Sequence, residues 1–155
     1  MACSVIVVVL ALLLLGLRGH NQDWAMHLHS AIRWTRPQAM YRVLILGPIW
    51  GAWAMLITCQ LCKPDDKTSQ ALVALRRGCG PFSTAAALVL PLGGSVWYFN
   101  YLPWTQLSIS AAPIIAAVAG GCWLCHRVGG LRRSVLLAVN IQAQLAFILA
   151  FLAIR

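Results

Sequence analysis

The chain has 155 residues, of which 61% are hydrophobic and only 10% are charged. Soluble globular domains carry about 25% charged residues, so this composition excludes a water-exposed globular protein and indicates a membrane protein. Lys and Arg number 12 against 3 acidic residues, all of them Asp. Because the basic residues flank apolar segments and do not follow one face, anionic lipid is favoured over nucleic acid as their partner.

The first predicted element is the apolar segment over residues 1–17. It lacks the basic N-terminal region and the A-x-A cleavage site of a secretory signal, so we expect it to be retained as a first span. The polar segment that follows places Trp24, Leu28 and Ile32 at intervals of four residues. This spacing predicts an amphipathic helix over about residues 22–35 that lies in the membrane interface.

An uncharged segment over about residues 43–62 predicts the next span, since its length suits the apolar core of a bilayer. Gly47 and Gly51 form a small-xxx-small pair within it, which favours close contact with another helix. A short surface helix is predicted over about residues 66–77, where Asp65, Asp66 and Thr68 offer N-terminal caps and two arginines close the last turn.

Three further spans are predicted in the rest of the chain, over about residues 81–98, 107–125 and 134–154. All of them are free of Asp, Glu, Lys and Arg. The predicted fold class is therefore an all-α polytopic integral membrane helix bundle. It forms a single domain over residues 1–155, with four or five transmembrane helices and short interfacial helices.

The last predicted span contains three side-chain amides. Asn140 and Gln144 lie one helical turn apart, whereas Gln142 lies on another side of the helix. Amides at membrane depth suit hydrogen bonds to a neighbouring helix, although they also suit contact with a polar ligand head. The residues that we assign to helix packing are Gly47, Gly51, Asn140 and Gln144.

The orientation of the bundle follows from the basic residues in the loops, because short loops on the cytoplasmic or matrix side carry an excess of Lys and Arg. The loops over residues 63–77 and 127–133 carry seven basic residues, against five on the opposite side. We expect both loops to face the cytoplasm or matrix. The candidate lipid-binding residues there, with cardiolipin or another anionic phospholipid as the ligand, are Arg76, Arg77, Arg127, Arg132 and Arg133.

Cys122, Cys125 and His126 have the C-x-x-C-H spacing of c-type haem attachment, which makes them candidate cofactor-binding residues. Against a haem, the motif ends an apolar span on the predicted cytoplasmic or matrix side. Cys59 and Cys62 repeat the i, i+3 spacing at the end of another span.

Two such cysteine pairs leave three alternatives: a four-thiolate metal site, a redox-active dithiol, or packing, since free Cys is among the most buried residue types. The candidate metal ligands are Cys59, Cys62, Cys122 and Cys125.

The predicted spans contain no ionisable group for a proton or ion pathway, and no motif for hydrolysis or phosphoryl transfer occurs. We therefore expect a non-catalytic subunit of a larger membrane complex that packs against partner subunits and binds lipid, without nucleic acid. Two alternatives stay open: a small redox, haem-binding or pigment-binding protein, and a small carrier of soft metals or solutes. The mitochondrial inner membrane and the bacterial plasma membrane suit this chain equally well.

Overall fold

The structure is a computed structural model that describes residues 39–64, 68–99 and 103–153. Every regular element in these three ranges is a helix, which confirms the predicted all-α class for the described part of the chain. The predicted span over residues 1–17 and the predicted interfacial helix over residues 22–35 lie outside the described residues.

Six α-helices and one π-helical segment make up the described part of the chain. The π-helical segment continues directly from the fourth helix into the fifth, and we call it the π turn. The elements are α1 (Ala39–Leu61), α2 (Gln70–Gly78), α3 (Pro81–Phe99), α4 (Pro103–Ile115), the π turn (Ala116–Gly120), α5 (Gly121–Val128) and α6 (Arg133–Ala153).

Three stretches of helix in the described residues are long and apolar enough to cross a membrane. They cover Arg42–Leu61 in α1, Leu107–Val128 from α4 to α5, and Arg133–Ala153 in α6. A fourth arises if α2 and α3, which are bent by 79° relative to each other, are counted as one broken span. The described part therefore supports a polytopic membrane bundle of three to four spans, slightly below the predicted four to five.

The boundaries of the helices differ from the prediction where backbone capping decides them. The span predicted to end at Cys125 continues to Val128, because Gly129 adopts a left-handed conformation with a φ of 82° and there ends the helix. The predicted cap at Thr68 is wrong. Ser69 is the N-cap of α2, and the Thr68 hydroxyl instead donates a hydrogen bond to Leu131 O at 3.0 Å.

The core lies between α1 and α6, and α3 and α4 pack against its sides. On α1, Val43, Leu46, Trp50 and Trp53 recur at helical spacing and are at most 5% exposed. Phe147 of α6 is fully buried against them. In a bilayer, where lipid tails are as apolar as these side chains, a bundle of this kind is stabilised by close van der Waals packing, and the hydrophobic effect contributes little between spans.

The π turn follows a proline within the span that runs from α4 to α5. Pro113 is buried and has no N–H to donate to the preceding turn, so the regular hydrogen-bond ladder is interrupted there. The wider π turn of Ala116–Gly120 comes directly afterwards. Such single turns occur frequently at functional sites, and this one places Gly120 against α6.

Candidate functional site

A polar cluster lies inside the bundle, where α6 crosses α1. The Gln144 amide donates a hydrogen bond to Asn140 Oδ1. Asn140 Nδ2 in turn donates a hydrogen bond to the Met55 sulfur, at 3.7 Å. Gly51 of α1 faces both amides: a Cβ there would overlap Asn140 Oδ1 and lie 2.8 Å from Gln144 Nε2. The missing side chain of Gly51 thus makes room for the two amides at membrane depth.

Three of the four residues assigned to helix packing are brought together by this cluster. Gly51, Asn140 and Gln144 are in mutual contact, whereas Gly47 is one turn away with nothing within 4 Å of the position of a Cβ. The small-xxx-small pair therefore contributes one close contact, at Gly51. Gly94 of α3, which no pattern singled out, approaches Leu46 of α1 closely enough that a Cβ would lie 2.7 Å from Leu46 Cδ2.

Gln142 lies on another side of α6 than Asn140 and Gln144, as the spacing predicts, and this side faces outward. It is exposed, and it is next to the midpoint of the helix that runs from Arg133 to Ala153. Its amide rests on Gly120 of the π turn, where a Cβ would lie 2.5 Å from Gln142 Nε2. An outward-facing amide at mid-membrane depth is unfavourable in lipid unless a partner hydrogen-bonds to it.

Gln142 also lines a groove on the outer surface between the π turn and α6. The groove encloses about 430 Å³, and Gln142 is its single amide. We call it the α6 groove, and its lining residues are Ala116, Ala138, Ile141, Gln142, Leu145, Ala146 and Leu149. A groove of this kind suits an apolar chain or helix that carries one hydrogen-bonding group.

The two cysteine pairs meet at one end of the bundle, but they pair across the helices. Cys62, which directly follows α1, forms a disulfide with Cys125 of α5, and their Cα atoms are 6.2 Å apart. Cys59 is a buried free thiol and Cys122 is an exposed one. Next to the disulfide, α1 and α5 approach closely at Thr58 and Gly121, where a Cβ would lie 2.7 Å from Thr58 Oγ1.

This arrangement bears on both cofactor hypotheses. Covalent haem attachment needs Cys122 and Cys125 as free thiols, and a four-thiolate metal site needs Cys62 and Cys125 as thiolates, whereas Cys62 and Cys125 are joined here. His126 is exposed on α5. Within the three described ranges, no three His, Cys, Asp or Glu side chains are grouped so that they hold a metal ion.

The candidate lipid-binding arginines lie at the same end of the bundle as the disulfide. We call this end the basic end, and its described basic residues are Lys63, Arg76, Arg77, Arg127, Arg132 and Arg133. Arg77, Arg127 and Arg133 are exposed, whereas Arg76 and Arg132 are half-buried. Arg127 packs its guanidinium over the ring of Trp123 at 5.2 Å, which holds both side chains at the surface as a cation–π pair.

Sequence patterns missed the contacts that join α3 to α1. Trp50 Nε1 donates a hydrogen bond to the buried Ser95 Oγ at 3.3 Å, and Trp53 Nε1 donates to Thr84 O at 3.1 Å. The one signal in the sequence is that a buried indole N–H group needs a hydrogen-bond acceptor, so each tryptophan of α1 predicts a polar partner nearby. That signal does not identify which helix supplies the acceptor.

Comparison of this chain with models of protein families, with curated proteins and with solved structures finds no significant match.

Proposed function

We propose that this protein is a non-catalytic subunit of a larger membrane complex, and that the α6 groove receives a transmembrane helix of a partner subunit. The observation that carries the proposal is the outward-facing amide of Gln142 near the midpoint of α6. Within the described part of the chain, no side chain or backbone group hydrogen-bonds to it. A partner helix with a polar group at the same depth hydrogen-bonds to the Gln142 amide, whereas an acyl chain has no group that does so.

Close approach of a partner backbone is also favoured by the shape of the groove. Ala116, Ala138 and Ala146 line it with small side chains, and small residues are what allow two helices in lipid to pack closely. The half-buried amides Asn140 and Gln144 are used inside this bundle, whereas Gln142 faces away from it. One face of α6 therefore serves the internal packing, and among the described residues the other face is open apart from the contact of Gln142 with Gly120.

The basic end supplies the second part of the proposal, which is binding of anionic phospholipid such as cardiolipin. Arg77, Arg127 and Arg133 present exposed guanidinium groups at the ends of α2, α5 and α6. Each basic residue near a negatively charged leaflet contributes about 1 kcal/mol to such binding. Anionic lipid there would hold the subunit at the depth at which the α6 groove meets its partner.

Replacing Gln142 with leucine is expected to weaken association with the partner subunit and leave the bundle folded. Interhelical hydrogen bonds in membranes contribute about 0.6–1.7 kcal/mol, which corresponds to a loss of affinity of about 3- to 20-fold. The measurement is the amount of partner that co-purifies with the full chain in mild detergent, at matched expression of wild type and Gln142→Leu.

The matched control is Leu137→Ala, which changes an exposed side chain of the same helix that does not line the groove. It is expected to retain the partner. Equal retention by the wild type and by Gln142→Leu would contradict the proposal, as would equal loss from both variants.

A further inference from the structure

The basic end of the bundle brings a disulfide and free cysteine thiols close together. Cys62 and Cys125 form the disulfide and are 4% and 7% exposed. Cys59 is a buried free thiol, one turn before Cys62. Free thiols beside a disulfide are the components that thiol–disulfide exchange requires.

The charge of the same end indicates the compartment that it faces. Basic residues follow α1, end α2 and surround the turn between α5 and α6, and the loops over residues 63–77 and 127–133 carry seven basic residues against five on the predicted opposite side. An excess of Lys and Arg in short loops marks the cytoplasmic or matrix side. Thiols are kept reduced on that side, and the disulfides that do form there are usually transient and catalytic or redox-sensing.

We propose that Cys62 and Cys125 form a redox-reversible clasp between α1 and α5, opened by low-molecular-weight thiols and closed by two-electron thiol oxidants such as disulfides or diazenes, which take up the two electrons and two protons that the clasp releases. A thiolate of the reductant attacks one sulfur, the S–S bond breaks, and the other cysteine leaves as a thiolate that takes up a proton. A second reductant thiol then attacks the mixed disulfide. Two reductant thiols become one disulfide, and the clasp gains two electrons and two protons.

The open clasp has a position for the released thiol. Cys62 Sγ lies 3.7 Å from Gly121 O, so its S–H is able to donate a hydrogen bond there once the disulfide is broken. The neighbouring loops stay connected, because Leu131 N donates to Lys63 O at 3.1 Å and Thr68 Oγ1 donates to Leu131 O at 3.0 Å. Opening therefore releases the covalent link between α1 and α5 without separating the two loops.

The test measures the state of the clasp in the full chain in its native membrane. Cells are quenched with acid, the protein is denatured, and free thiols are labelled with a polyethylene glycol maleimide. Each labelled thiol slows the migration of the protein in a denaturing gel by one step. We expect growing cells to contain both states, which differ by two labels. Diamide, a thiol oxidant, should convert at least nine-tenths of the chains to the closed state, and dithiothreitol should reopen them within minutes.

Two variants keep the result interpretable even where a substitution alters folding. Cys62→Ser should give the same label number before and after diamide, whereas Cys79→Ser should keep the two-label shift. Two results would overturn the proposal. One is a wild-type clasp that dithiothreitol opens only after denaturation, since that describes a permanent structural staple. The other is a clasp that diamide never closes.

Discussion

Replacing Trp50 with alanine is expected to lower the free energy of unfolding by about 3–5 kcal/mol, the usual cost of deleting a large buried aromatic side chain. Trp50 is fully buried and joins three helices. It meets Trp53 edge to face at a centroid distance of 5.9 Å, packs on Phe147 of α6 at 6.3 Å, and donates to Ser95 of α3. Its removal leaves a cavity and an unpaired Ser95 hydroxyl at membrane depth.

The measurement is thermal unfolding of the purified chain in one mild detergent, at matched protein concentration. Trp97→Ala is the control, because Trp97 is 63% exposed on α3 and its loss leaves no cavity in the bundle. Substitutions at such surface positions usually change stability by less than about 0.5 kcal/mol. Equal destabilisation by the two substitutions would show that Trp50 does not hold the three helices together.

Gly51→Ala is expected to lower the stability of the bundle by about 1–3 kcal/mol, the usual cost of overfilling a packed core. The added Cβ overlaps Asn140 Oδ1, so α1 and α6 must separate or the hydrogen bond between Asn140 and Gln144 must break. The same thermal unfolding assay measures the effect.

Gly47→Ala is the matched control, one turn away on α1. Nothing lies within 4 Å of its Cβ position, so the substitution meets no steric obstacle. Alanine favours a helix over glycine by about 1 kcal/mol, and we expect Gly47→Ala to leave the bundle equally or slightly more stable. A loss of stability at Gly47 as large as at Gly51 would contradict the assignment of the crossing to Gly51.

The described helices could be predicted from sequence because length and apolarity alone decide whether a segment suits a bilayer. The apolar segments around Trp50 and Phe147 can be recognised as spans without knowing which helices pack against them. The helix ends were predicted less well, because a single left-handed residue, Gly129, decides where α5 stops. Cap geometry of this kind depends on local dihedral angles that composition does not encode.

Pairing between helices was predictable only in part. The spacing of Asn140 and Gln144 placed both amides on one face of α6, but it did not identify Gly51 as the residue opposite them. The spacing of the cysteines grouped each pair within its own helix, whereas Cys62 and Cys125 pair across helices at a sequence separation of 63. Such contacts depend on how α1 and α5 cross, which is a property of the whole bundle.

The most direct test of the proposed function places a photoreactive amino acid at position 142 of the full chain and irradiates intact membranes. We expect a discrete adduct with one other integral membrane protein. A photoreactive residue at Leu90, which is 71% exposed on α3, should give lipid adducts alone. Lipid adducts alone at position 142, or crosslinks only within this chain or to a second copy of it, would contradict the account.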